Sequence, residues 1–77
     1  MLVVMLDPDV PTPLYEQLAE IIRRQVESGE LTGKVPSVRT LAQQYEISLR
    51  TAAHALSFLK EQGVLVARVG KGHRVAR

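Results

Sequence analysis

Three apolar stripes at helical spacing occupy most of this chain, and a short β-patterned tail follows them. Leu14, Leu18, Ile21, Ile22 and Val26 are separated by 4, 3, 1 and 4 residues, which puts them on one side of a helix. Thr12 is expected to cap that helix and Pro13 to fill its first position, where a missing N–H does no harm. Gly29, after Ser28, marks its stop. The second stripe is Val38, Leu41, Ala42 and Tyr45, with Ser37 as N-cap and an expected end near Tyr45. The third is Ala52, Ala55, Leu56 and Leu59, capped by Ser48 and stopped by Gly63.

Glu46-Ile47-Ser48 joins the second and third helices in a tight turn. Such a turn favours glycine at its first position, because a positive φ costs a glycine little. Glu46 is therefore expected to be mildly strained, with Ile47 filling the space between the helices. The small Ala52 and Ala55 let two helices cross closely. Leu49, Arg50, Ala53, His54, Ser57 and Lys60 are left facing outward. Phe58 is out of register with the stripe and covers an edge of the core or a subunit contact.

Lys34-Val35-Pro36 reads as a brief extended piece, since proline holds the preceding residue out of the α region, and could lend one short strand to a small sheet. Val64 to Arg68 reads as a strand, Val69 to Gly72 as a glycine-rich turn, and His73 to Arg77 as the returning strand, with His73 on a wet face. At the other end, residues 2–6 form an apolar run that packs on the domain or on another subunit. Asp7 to Pro13, with three prolines, reads as an extended connector. The expected architecture is α+β and mostly helical: a three-helix winged helix-turn-helix with a small antiparallel β-wing. Residues 1–12 are its arm and connector, and residues 13–77 the folded unit.

Composition narrows the function. Seventy-seven residues make one small domain, and without cysteine it has neither disulfides nor a thiolate metal site. His54 and His73 stand apart from any acid/base pair or ligand cluster, so no catalytic residue, metal or cofactor is expected. Gly70-Lys71-Gly72 lacks the spacing and the following helix of a phosphate-binding loop. One Phe and two Tyr weaken a single-stranded nucleic-acid reading, because such sites stack bases on several aromatics. The apolar start is too short to span a membrane and lacks a basic leader, so a cytoplasmic protein is expected.

Charge changes the picture more. Residues 1–47 carry four basic against seven acidic groups, net −3; residues 48–77 carry six basic groups against Glu61, net +5. That half suits a polyanion. Helix 48–62 is expected in the major groove of double-stranded DNA, with Ser48, Arg50, Thr51 and His54 on its first two turns. Arg50 can donate two hydrogen bonds to guanine O6 and N7. Thr51 can donate to a phosphate or offer its methyl to thymine, and His54 can meet a base edge. Arg39 is expected to reach a phosphate or a flanking base. Lys71, between Gly70 and Gly72 in the 69–73 wing, is expected to reach the backbone or minor groove. Two rivals stand beside this reading: a winged helix that binds protein through Leu49, Ala53 and Phe58, and a fragment of a larger ligand-responsive regulator.

Seven motifs carry a resemblance: P-L-Y-E-Q-L at 13–18, S-G-E-L at 28–31, P-S-V-R-T-L-A at 36–42, I-S-x-R-T at 47–51, A-L-x-x-L at 55–59, E-x-G-V-L at 61–65 and G-K-G at 70–72. From about Thr12 to Val75 the chain resembles the DNA-binding domain of GntR-type transcriptional regulators. The resemblance implies a winged helix, a homodimer on an inverted-repeat operator, repression as the mode of control, and a C-terminal part that binds an effector or directs oligomerisation. Ending at Arg77, the chain is expected to carry no such part and no small-molecule effector site. The family usually places basic residues where this chain has Leu49 and Ala53, so its base preference does not carry over.

Overall fold

A computed structural model describes residues 6–68 and 72–76. Its order is α1 (Leu14–Ser28), α2 (Val38–Tyr45), α3 (Leu49–Glu61), β1 (Leu65–Arg68) and β2 (Gly72–Val75). Three helices and a two-stranded antiparallel sheet make the winged-helix arrangement that the periodicity predicts.

The core forms where the three stripes meet. Ala52, Ala55, Leu56 and Leu59 of α3 are all buried, against Leu18 and Ile22 of α1 and Leu41 of α2. Ala52 and Ala55 are 0% exposed, so α3 has no room for a larger side chain at either position. Val38, Tyr45, Ile47 and Phe58 are half-buried around this centre. Phe58 therefore covers an edge of the core.

The ends of the helices follow their local chemistry, with one correction. Thr12 does not cap α1. Pro13 occupies the N-cap position, its carbonyl accepts from the Glu16 and Gln17 N–H groups at 3.1 Å each, and no side chain caps the helix. Gly29 ends α1 at φ 83. At the end of α3, Gly63 takes φ 80 and the Val64 N–H donates back to the Leu59 carbonyl at 3.0 Å. The end of α2 repeats that geometry without glycine: Glu46 sits at φ 55, ψ 48, and the Ile47 N–H donates to the Ala42 carbonyl at 3.0 Å. Among the described residues Glu46 alone adopts a positive φ without being glycine.

The hairpin pairs Leu65 with Val75, Val66 with Arg74, Ala67 with His73 and Arg68 with Gly72. Facing residues of an antiparallel pair share a side, so buried Leu65 and Val75 seat the sheet on the core, while Val66 and Arg74 face out. His73 shares the inner side and is half-buried rather than on a wet face. The segment after α1 docks along β2. Val75 N–H donates to the Gly33 carbonyl at 2.8 Å, Val35 N–H donates to the His73 carbonyl at 3.0 Å, and Lys34 bridges Arg74. This is the anticipated short third partner, reduced to a single bridge.

The connector before α1 is bent rather than extended. Gln17 holds it: its Oε1 accepts from the Asp7 N–H, and its Nε2 donates to the Asp7 and Thr12 carbonyls, each at 2.8 Å. Asp9 N–H also donates to Asp7 Oδ1 at 2.9 Å. Leu6 packs against the core, while the apolar run before it lies outside the described residues. No helix among the described residues is long and apolar enough to cross a membrane.

Candidate nucleic-acid interface

The two helices flanking the Glu46 turn open on nearly the same tetrapeptide, Ser37-Val38-Arg39-Thr40 for α2 and Ser48-Leu49-Arg50-Thr51 for α3. Each serine stands in extended backbone just outside its helix. Its Oγ accepts from the backbone N–H of the threonine three residues on, at 3.1 Å for Thr40 and 3.0 Å for Thr51. The same hydroxyl donates to the threonine Oγ1, at 3.0 and 2.9 Å. Both helices thus start at a defined residue, and each presents an arginine as its second member.

Those arginines sit where helix electrostatics disfavours them. The free N–H groups of a helix start carry partial positive charge, so acids are stabilising there and cations are not. α1 follows the rule with Glu16; α2 and α3 carry no acid in the first turn. Arg39 and Arg50 are exposed and make no ion pair or side-chain hydrogen bond among the described residues. The contrast is Glu20 on α1, whose carboxylate receives Arg23 at 2.7 Å and Arg24 at 2.9 Å. Those hydrogen bonds, Arg23's first, hold the Glu20 carboxyl below its ordinary range. The Arg23–Arg24 pair is therefore occupied on a solvated face, while Arg39 and Arg50 have no partner among the described residues.

The other predicted residues divide by what they already touch. Ser48 is exposed, but its hydroxyl is committed to the cap. Thr51 is half-buried with its Oγ1 accepting from Ser48. His54 is exposed, and its ring stacks on Tyr15 of α1 with centroids 3.7 Å apart and planes 10° from parallel. Phe58 meets the same tyrosine edge-on at 5.6 Å and 83°. Tyr15 was missed by reasoning from the sequence, although two signals pointed to it: aromatics are scarce in this chain, and His54 and Phe58 stand one helical turn apart. Gly72 is exposed at φ 73 in open space, so a turn conformation, not close packing, requires glycine there. Gly70 and Lys71 lie outside the described residues.

Beside the hairpin, burial first and then the charge of Lys60 hold the His73 imidazole below its ordinary pKa of 6.5. Arg68 and Arg74 are exposed on the hairpin. No group of His, Cys, Asp and Glu able to hold a metal occurs among the described residues.

Residues 14–75 match the family of bacterial regulatory proteins called gntR. The chain belongs to the GntR family. It is 38% identical over 69 residues to the HTH-type transcriptional repressor NagR of Bacillus subtilis, an alignment covering 87% of this chain and 28% of that protein. The chain thus spans under a third of that relative's length. Among solved structures it superimposes on YtrA from Sulfolobus acidocaldarius, a GntR-family transcription factor, with a TM-score of 0.86 and 30% identity, covering 94% of this chain and 78% of that one. It superimposes on AraR(DBD), solved in complex with operator ORX1, with a TM-score of 0.83 and 30% identity, covering 95% and 93% of the two chains. The GntR winged helix is therefore the frame that carries Arg39 and Arg50.

Proposed function

We propose that this GntR chain is a sequence-specific double-stranded DNA-binding regulator that sets α3 in the major groove. The observation that carries the reading is the pair of free arginines at two helix starts, where the fold itself gains nothing from a cation. Arg50 donates to guanine O6 and N7, and Arg39 reaches a flanking phosphate. Ser48 and Thr51 act through the cap that orients the start of α3, whose N–H groups favour a phosphate. His54, stacked on Tyr15, shapes the flank of α3 nearest α1. The 69–73 wing, with Gly70, Lys71 and Gly72, follows the backbone or minor groove. AraR(DBD) was solved on an operator, which supports a DNA partner, and NagR is a repressor, which supports repression as the mode of control.

One α3 reads only a few base pairs, so the chain binds as a homodimer on an inverted repeat with half-sites about 34 Å apart. Residues 13–77 are the DNA-binding unit and residues 1–12 its arm. The test is enrichment of bound duplexes from a random pool, followed by titration of the recovered site. Arg50→Ala is expected to weaken that site by about 1–3 kcal/mol and to relax base preference at one position. Failure to enrich any duplex, or an Arg50→Ala variant indistinguishable from wild type on every duplex, overturns the reading.

A further inference from the structure

The base-reading surface of α3 is narrower than its sequence implies, and what remains of it is mostly apolar. Residues 48 to 54 span its first two turns. The Ser48 hydroxyl is spent on the cap, Thr51 is half-buried against it, Ala52 is buried, and His54 lies against Tyr15. Three side chains are left exposed and unengaged: Leu49, Arg50 and Ala53. Leu49 is 53% exposed, the highest value among the exposed large hydrophobic residues described, and it occupies the first position of α3. Ala53 follows one turn later, about 40° round the axis from Leu49 and between Leu49 and Arg50. An exposed leucine alone signifies little. Here it sits beside a free guanidinium on the same helix start, while the Ser48 hydroxyl is engaged in the cap and the His54 ring is stacked on Tyr15.

We propose that Leu49 and Ala53 form an apolar strip that reads the C5-methyl groups of thymine next to the guanine bound by Arg50. In the major groove thymine alone among the four bases presents a methyl, and an apolar side chain against it removes both from water. Cβ atoms four residues apart on a helix are about 5–6 Å apart, which spans one to two base-pair steps of 3.4 Å. The recognised half-site therefore contains at least one thymine beside the guanine. The inference rests on the proposed DNA-binding reading and names which chemical groups of the base pairs that surface takes.

The test uses the full chain and duplexes enriched from a random pool. Each thymine of the enriched half-site is replaced in turn by deoxyuridine, which keeps every hydrogen bond and removes only the methyl. Wild type is expected to lose roughly fourfold in affinity for each contacted methyl. Leu49→Ala is expected to bind the thymine duplex more weakly and to be indifferent to deoxyuridine at one of those positions. Its circular dichroism is expected to match wild type, because Leu49 is outside the core. Arg50→Ala is expected to keep the deoxyuridine sensitivity while losing preference for guanine. If wild type binds thymine and deoxyuridine duplexes equally, or if Leu49→Ala keeps the full sensitivity, the methyl-reading inference is overturned while DNA binding stands. If no duplex is enriched at all, both fall.

Discussion

Replacing Glu46 with glycine should stabilise this domain, and the size of the effect follows from one backbone angle. Glu46 holds φ 55, ψ 48, in the left-handed region, as the residue that ends α2. A side chain there costs about 1–2 kcal/mol through the clash of Cβ with the following carbonyl. Gly63 ends α3 in the same conformation without that cost. Glycine also gives the unfolded chain more freedom, which takes back about 0.4–1 kcal/mol. The net gain is about 0.8 kcal/mol. For a domain of this size that is roughly 3–6 °C in melting temperature. The Glu46 carboxylate also lies at the negative end of the α2 dipole, so removing its charge helps independently by about 0.3–1 kcal/mol. Glu46→Ala separates the two effects, because alanine removes the charge and keeps the clash. The measurement is thermal and urea unfolding of wild type, Glu46→Ala and Glu46→Gly by circular dichroism at one pH and salt concentration. The glycine variant should exceed the alanine variant by about 0.8 kcal/mol. A glycine variant no more stable than the alanine one would refute the strain argument.

Overpacking α3 should be costly: Ala55→Leu, at a position 0% exposed, is expected to lose about 1–3 kcal/mol in urea unfolding, and a change within error would mean that the crossing can relax. His73 makes stability depend on pH. Its folded pKa is depressed, so the unfolded chain takes the proton first, and stability falls as pH drops below 6.5 and stops falling once the folded imidazole also protonates; His73→Gln should flatten that part of a melting-temperature profile. Arg39→Ala and Lys71→Ala should each weaken binding on all duplexes and lower the slope of log affinity against log salt by about one contact, read from titrations at several salt concentrations.

The helices were legible because their signals are local. Ser37 and Ser48 meet threonines three residues away, Gly29 and Gly63 close their own helices, and the buried stripe of α3 is four residues on one face. Even the strain at Glu46 could be read in advance, since a turn of that length requires a left-handed residue whatever occupies it. The charge asymmetry likewise pointed to the half that holds Arg50, because a net charge depends on sequence alone. Two expectations were corrected, one by competition within the same helix start and one by packing between elements. Thr12 looks like a cap, yet Pro13 takes the position and Gln17 captures the Thr12 carbonyl. His73 was expected on a wet face, but it shares the inner side of the hairpin with Val75, and the sheet lies on the core and half-buries it.

What the sequence determined by itself was the periodicity, the caps and the distribution of charge, and with them the winged helix and its exposed arginines. What only the tertiary structure decided was which polar groups on α3 remain free. Tyr15 reaches His54 across the α1–α3 contact and stacks on its ring. Helical spacing can say which way a side chain leaves the backbone; whether it meets water or another side chain depends on packing between elements, and that packing left Leu49, Arg50 and Ala53 facing outward.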